Sequence, residues 1–400
     1  MQETTTKDAQ VVQFRLDIRR LLQTRLREAV ELVLEEELSS ALGAPRYERL
    51  EGRLGYRNGV EERSITTGTG TRKVRVPRGR VVAKDGATEE FRSELLPRYA
   101  RRTEEVDSAI LSCYLAGANS RRIRKALEPL LGEEHLSKSA VSRVVVRLKK
   151  LFESWQQRDL SQERYGVLFL DGFHLKVRMA RRVVSVPVLA VLGVRQDGEK
   201  VLVGLRLAPS EAAANWSEVI VDLQKRGLTA PLLLVVDGNA GLNKALAAWP
   251  EAKVQRCTVH KLRNLQDHCP VHARREMKRD YDRIIHAKDG LTARGVYEAF
   301  TRKWSALCPA VTRSLEEAGT ELLTFYEFPK SMWKSLRSTN ALENLNREFR
   351  RRTKTQGSFG TEDAALKLLY GLVAFGQIEM RKIVGHRDLT ALMMASTQAA

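Results

Sequence analysis

The stretch YGVLFLDGFHLKVR (165–178) opens the part of the chain that decides its fold. VLFLDGFHLKV (167–177), VVSVPVLAVLGV (183–194) and KVLVGLRLA (200–208) are three successive segments rich in Val and Leu. Short charged or glycine-containing joints separate them, the pattern of an antiparallel meander. Asn215–Arg226 then has helical spacing, and PLLLVVDGN (231–239) is a continuous apolar run of the kind buried on both faces of a sheet. Gly241–Trp249 is helical, and Lys253–Cys257 is a short fifth strand.

The resulting order, β-β-β-α-β-α-β, is that of an α/β RNase H-like fold. Asp171 ends the apolar run VLFL and Asp237 ends LLLVV, and Gly172 and Gly238 follow them. Taken singly, each Asp-Gly reads better as a strand-ending turn. The topology changes that weighing. The first and fourth strands of such a sheet lie side by side, so the two aspartates project together. Adjacent carboxylates are stable only with a proton or a metal ion between them, and Mg²⁺, which accepts one or two carboxylates and keeps other positions for water and phosphate, suits the pair.

Downstream, WKSLRSTNALENLNREFRRRTKTQG (333–357) places Glu343 near a helix start, ahead of Arg347, Arg350, Arg351, Arg352 and Lys354. Read locally, Asn340 and Glu343 form a capping box. The basic run that follows would be an odd solvated face. Between the fifth strand and this segment, Lys261–Met332 is helical with no clear strand, and the loop TKTQGSFGTED joins two last helices within 339–384.

Upstream, residues 11–42 carry apolar positions at helical spacing and form one or two amphipathic helices. Residues 43–100 turn rich in Gly, Pro and Arg, with short alternating stretches. Thr71–Val82 holds Arg72, Lys73, Arg75, Arg78 and Arg80 and no acid, which suits a solvated hairpin and a DNA-binding arm equally. Residues 107–155 are helical throughout. One helix ends at Gly117. A second, capped by Ser120, carries Arg121 and Arg122 and turns Ile123, Leu127 and Leu130 to one face. After Gly132, Ser137 caps a third helix, which is basic at Lys138, Arg143, Arg147, Lys149 and Lys150. This is a helix-turn-helix outline, shared by other small bundles, and its basic bias favours DNA.

Composition sets the outer bounds. The 400 residues exceed one ordinary domain, and a hydrophobic fraction of 43% supports real cores. No apolar run approaches the roughly 18 residues of a membrane span, and the N-terminus lacks a secretion pattern, so a cytoplasmic protein without a membrane partner is expected. The cysteines (Cys113, Cys257, Cys269, Cys308) are too scattered for a disulfide framework. A net charge of +19, from 68 basic against 49 acidic residues, points to a polyanionic partner.

YGVLFLDGFHLKVR, LLLVVDGNAGL, VQRCTVHKLRNL and SLRSTNALENLNREFRRRTKTQGSF together resemble bacterial insertion-sequence transposases of the Mutator-like DDE class, from roughly Arg53 to Gly385. The resemblance implies catalytic and metal-binding places for Asp171, Asp237 and Glu343, with two Mg²⁺ ions for which Mn²⁺ can substitute. It implies an N-terminal, mainly helical DNA-binding region and an all-helical insertion between the second Asp and the Glu. The expected organisation is a helical region (1–45), a basic strand-and-loop region (46–100), a helix-turn-helix-like domain (101–160), the first part of the core (161–265), the insertion (266–335), the second part of the core (336–385) and a tail (386–400).

The family also carries a Cys-x-x-His element, matched by Cys257 and His260. A second pair, Cys269 and His272, raises the thought of zinc, but the gap between the pairs is short. Cys257 is read as core, His260 and Gly238 as neighbours of the site, and His174 as flanking it without being a ligand. The expected activity is recognition of the element's terminal inverted repeats, strand cleavage, and transfer of the 3′-hydroxyl into target DNA by a dimer or larger assembly. Arg347 and Arg350–Arg352 would hold phosphates. The rivals are a stand-alone nuclease, disfavoured by the insertion and the N-terminal region, and a DNA-binding protein that has lost catalysis, disfavoured by the intact carboxylate trio.

Overall fold

The computed structural model describes residues 2–48, 50–82, 86–131, 136–179, 182–354, 359 and 361–398. The chain divides into two compact units, Met1–Arg147 and Leu148–Ala400. It is mixed α and β, and no described helix is long and apolar enough to cross a membrane.

In the first unit one helix, Gln2–Leu42, takes up the whole N-terminal amphipathic stretch. Strands β1 (Gly55–Thr67) and β2 (Gly70–Val82) form an antiparallel hairpin, and β3 (Thr88–Glu90) pairs with β2. Alternation along β2 turns Val74 and Val76 inward against Leu34 of the helix and Ile65 of β1. Three helices follow, Glu104–Leu115, Ser120–Leu131 and Lys138–Gln156, the last running across the boundary between the units. Two details differ from the sequence reading. Asn119, not Ser120, caps the second helix, its Oδ1 accepting from the N–H groups of Arg121 at 3.1 Å and Arg122 at 3.0 Å. The buried stripe is Ile123, Leu127 and Leu131, an i, i+4, i+8 row, while Leu130 is exposed. Ser137 does cap the third helix, through Ala140 N–H at 3.1 Å. The expected break at Gly132 lies outside the described residues.

The second unit is built on a five-stranded sheet of order β6-β5-β4-β7-β8. Strands β4 (Tyr165–Met179), β5 (Arg182–Arg195) and β6 (Lys200–Leu207) form the antiparallel meander. The short strands β7 (Leu233–Val236) and β8 (Lys253–Arg256) continue it in parallel. The crossovers are the helices Ala213–Lys225 and Ala240–Ala245. Trp216, Ile220 and Leu223 of the first crossover pack on Leu168, Leu170, Val191, Leu234 and Val236. Val167, Phe169, Leu233 and Val235 are equally buried, so β4 and β7 are covered on both faces, which explains their unbroken apolar runs.

Beyond β8 the described residues up to Ser338 are helices and turns, chiefly Thr258–His268, Arg274–Ile285, Gly290–Leu307 and Pro309–Ala318. Helices Asn340–Thr353, Glu362–Ala374 and His386–Gln398 close the chain. Thr355–Ser358 and Gly360 of the expected loop lie outside the described residues. Phe359 bridges to β4, its N–H donating to Lys176 O at 3.1 Å and its carbonyl accepting from Arg178 N–H at 2.8 Å.

One sequence expectation is corrected. Asp171 does not end its strand, because β4 runs on to Met179 through its pairing with β5. What ends at Leu170 is the parallel pairing with β7, where Leu170 faces Val236. The segment 167–177 already carried the strand past Asp171, and the observed strand adds two residues at each end.

Candidate active site

The register of β4 and β7 decides the site. Because Leu170 pairs with Val236, the residues that follow, Asp171 and Asp237, leave the two strands side by side. Asp171 is 7% exposed, and its Oδ2 accepts from Asn346 Nδ2 at 3.1 Å. Burial pushes its carboxyl up to about 7, and the Asp237, Glu343 and Glu211 carboxylates add to the shift while His260 opposes it. A buried carboxyl among like charges holds its proton or waits for a cation.

Asp237 sits in a tight turn. Its Oδ1 accepts from Asn239 N–H at 2.9 Å, and Asn239 Oδ1 in turn caps the Ala240–Ala245 helix through Gly241 N–H at 2.8 Å. Gly238 between them has φ +95°, and a Cβ there would lie 2.1 Å from Arg256 Nη2, so both the conformation and the space demand glycine. Asn239 Nδ2 also donates to Glu211 Oε2 at 3.2 Å, bringing a fourth carboxylate to the rim. A Cβ on Gly172 would lie 2.6 Å from Glu211 Oε1. Burial and Asp237 raise the Glu211 carboxyl above its ordinary value.

Glu343 enters from the first turn of the Asn340–Thr353 helix. The capping box is not formed, since Thr339 is the N-cap and makes no side-chain cap bond. The Glu343 carboxylate turns instead to His260 Nε2 at 3.2 Å and Arg263 Nη1 at 3.6 Å. The His260 contact is out of line for a hydrogen bond, and the buried Oε1 has no hydrogen-bond partner. His260 is held up at about 9, chiefly by its hydrogen bond with the Cys257 thiol, against burial and with help from the Cys257, Glu343 and Asp171 charges. Cys257 is buried as expected. Its N–H donates to Val236 O at 2.7 Å, and its Sγ accepts from Thr339 N–H and Oγ1, each at 3.4 Å. The Cys-x-x-His element therefore joins the end of β7 to the start of the Glu343 helix. Cys269 is also buried, and His272 lies in the short turn Val271–Ala273. His174 Nδ1 lies 3.9 Å from Glu211 Oε1.

Asp171, His260, Glu343, Asn346, Arg347 and Arg350 line one cleft of about 640 Å³. Of the remaining basic residues of this helix, Arg351 pairs with Glu348 at 2.9 Å and Arg352 donates to Gln377 O at 3.1 Å; neither lines the cleft. In the first unit Arg72 bonds to the Gln23 side chain and Lys73 lies 3.6 Å from Glu62. The Arg75 side chain is exposed, while its backbone N–H donates to Glu31 Oε1 at 3.0 Å. Arg121 and Arg122 are exposed. Arg143 donates to Ser139 O at 3.3 Å, and Arg147 lies 4.0 Å from Glu104. The Lys138 side chain lies outside the described residues.

Among the described residues no group of three or more His, Cys, Asp or Glu is gathered closely enough to hold a metal ion as it stands. The donor chemistry nevertheless fits one. Asp171, Asp237, Glu343 and Glu211 offer only oxygen, the preference of hard divalent cations; the Asp171 carboxyl is raised by burial and by its neighbouring carboxylates, and the buried Glu343 Oε1 has no hydrogen-bond partner.

Asn346, Asn239, Glu211, Arg263 and Thr339 were not singled out in the sequence. Asn346 had a signal, three residues beyond Glu343 and so on the same helical face. Glu211 had none, standing in an unpatterned loop before a helix.

The chain belongs to the Mutator family of transposases: the family described as "Transposase, Mutator family" matches residues 1–379. It is 34% identical over 352 residues to the transposase for insertion sequence element ISRM5 of Rhizobium meliloti (strain 1021), covering 88% of this chain and 86% of that one. It is 32% identical to the transposase for IS905 of Lactococcus lactis subsp. lactis (strain IL1403), over 93% of both chains. It is 30% identical to the transposase for IS256 in transposon Tn4001 of Staphylococcus aureus, over 84% of this chain and 85% of that one.

Proposed function

We propose that the cleft at Asp171 is the catalytic centre of a DDE transposase. On this reading the protein binds the terminal inverted repeats of its element, cuts a strand at the element end, and joins the resulting 3′-hydroxyl to target DNA. The observation that carries the proposal is the register that sets Asp171 beside Asp237, with Glu343 lining the same cleft as Asp171 from a later helix. We read the five-stranded sheet around that pair, of order β6-β5-β4-β7-β8, as an RNase H-like core.

Asp171, Asp237 and Glu343 would hold two Mg²⁺ ions, or Mn²⁺ in their place. When bound, such ions lower the pKa of an attacking water or hydroxyl and neutralise charge on the phosphoryl group. The chain's own residues do the rest. Asn346 fixes one oxygen of Asp171, and Asn239 fixes one oxygen of Asp237. His260 and Arg263 hold Glu343 toward the cleft and balance its charge. Arg347 and Arg350 line the same cleft and are placed to take phosphate oxygens, which positions a strand without reading its bases. Both steps are in-line exchanges at phosphorus: one phosphodiester bond breaks to water, and a second breaks as the 3′-hydroxyl forms its replacement. Arg121, Arg122, Arg143 and Arg147 are placed on DNA outside the cleft, and two element ends call for a dimer or larger assembly in the cytoplasm.

The test is strand transfer by the purified protein with Mg²⁺, comparing wild type with Asp171→Asn. Equal activity in the two sinks the proposal.

A further inference from the structure

A second cleft, of about 380 Å³, opens on the neighbouring face of the Asn340–Thr353 helix. Asn340 and Asn344 line both clefts, so the first turn of that helix is their common wall. The lining of the second is unlike the first. It carries Lys200, Lys334, Arg337 and Lys382 against one carboxylate, Asp282.

Among the described residues, the fully buried cations of this unit and half-buried Arg226 are paired with carboxylates, while half-buried Arg274 and Arg352 donate to carbonyl oxygens. Arg226 meets Asp222 at 3.0 Å, Arg256 meets Glu317 at 2.8 Å, and Lys261 and Lys367 meet Glu317 and Asp363 at 2.5 Å. Lys200 and Arg337 are half-buried and have no carboxylate partner among the described residues. Burial alone pushes the Lys200 ammonium below its ordinary value. The Tyr281 side chain lines the same cleft as Arg337. Desolvating a cation without a counter-charge is unfavourable, and an anion that enters the cleft supplies one.

We propose that this cleft binds the phosphodiester backbone of the DNA strand leading to the carboxylates, with Lys200 and Arg337 as its main contacts. The proposal rests on reading the Asp171 cleft as a DNA strand-transfer site.

The test measures binding of a fluorescein-labelled random-sequence duplex to the full chain across a salt series. Lys200→Gln with Arg337→Gln should make the slope of log K against log salt shallower by roughly 1 to 2, about 0.9 for each phosphate that is no longer neutralised. Without DNA its melting temperature should equal or exceed that of wild type, since unpaired charges have been removed. The charge-conserving pair, Lys200→Arg with Arg337→Lys, should restore the wild-type slope, which separates a missing charge from impaired folding. A glutamine variant with the wild-type slope overturns the proposal, as does a charge-conserving variant that fails to restore it. Inorganic phosphate is titrated in parallel. If it raises the melting temperature of wild type alone while the slopes agree, the cleft takes a free anion and the assignment to the strand is overturned. Failure of the wild type to bind duplex at all sinks the strand-transfer reading as well, whereas equal slopes in proteins that do bind sink only this cleft.

Discussion

Asn346 Nδ2 donates to Asp171 Oδ2 at 3.1 Å, and this bond ties the helix that carries Glu343 to the strand that carries Asp171. One turn further along, Phe349 stacks on Phe173 with ring centroids 5.7 Å apart, so the contact repeats along both elements. Asn346 Oδ1 is buried without a partner, although the residue is only 3% exposed. A stacked pair and one amide thus set where the third carboxylate stands relative to the first.

Removing that amide should loosen the site without unfolding the protein. Asn346→Ala is expected to lower Mn²⁺ affinity and strand-transfer rate by about 10 to 100-fold, the usual loss when a ligand's supporting hydrogen bond goes. Isothermal titration with Mn²⁺ and a strand-transfer assay check the two parts. A variant that binds Mn²⁺ as wild type does removes Asn346 from the positioning role.

The raised Asp171 carboxyl makes the chelated protein sensitive to pH in a definite direction. Its folded value is about 7, against about 3.9 for an unfolded aspartate, so between those limits the folded state binds more protons. The Asp171 contribution is therefore most favourable below pH 4 and is lost as pH rises through 7. Asp171→Asn stays neutral throughout. In chelator at pH 8 it should be more stable than wild type by roughly 2 to 4 kcal/mol, since each tenfold change in proton affinity is worth about 1.4 kcal/mol, and the gap should close as pH falls toward 4. Urea denaturation at several pH values measures this, and a pH-independent difference contradicts it.

The sequence carried the five-strand order and the pairing of the aspartates because both follow from the apolar runs around Leu170 and Val236. It carried the length of β4 to within two residues at each end, since beyond Asp171 the buried Phe173, Leu175 and Val177 alternate with exposed His174 and Lys176. Glu343 lay in a segment with a satisfactory local reading as a capping box, and only its contacts with His260 and Arg263 show that the side chain points elsewhere. Glu211 and Asn239 were illegible because their roles depend on a turn meeting a loop distant in the chain.

Gly238 should tolerate no side chain. Alanine there would occupy a left-handed conformation and overlap the Arg256 guanidinium, which is 3% exposed and has little room to withdraw. Conformation alone costs about 1 to 2 kcal/mol, and the overlap adds to it. Gly238→Ala is expected to lose at least about 2 kcal/mol in urea denaturation and to lose strand transfer beyond that, because the turn it distorts holds Asp237. Wild-type activity with wild-type stability would mean that the turn shifts freely.

Glu317 neutralises two buried cations at once. Arg256 Nη2 lies 2.8 and 3.0 Å from its two oxygens, and Lys261 Nζ lies 2.5 Å from one of them. Burial works against the carboxylate, but Lys261 and Arg256 hold it below its ordinary value. The stability it contributes is present above the unfolded glutamate value of about 4.3 and is lost as pH falls through the lower folded value. Glu317→Gln keeps the shape and removes the charge, leaving Lys261 and Arg256 buried and short of an anion, although Glu321 remains 3.8 Å from Arg256. Breaking a buried pair costs about 3 to 5 kcal/mol, and because Glu317 is half-exposed the loss at neutral pH should be nearer about 2 to 3 kcal/mol. Arg256 packs on the Gly238 turn and Lys261 follows His260, so the disturbance reaches both sides of the cleft. A urea midpoint lowered at pH 7 but not at pH 3 is the expected signature. A loss of equal size at both pH values would show that Glu317 acts through packing and not through charge.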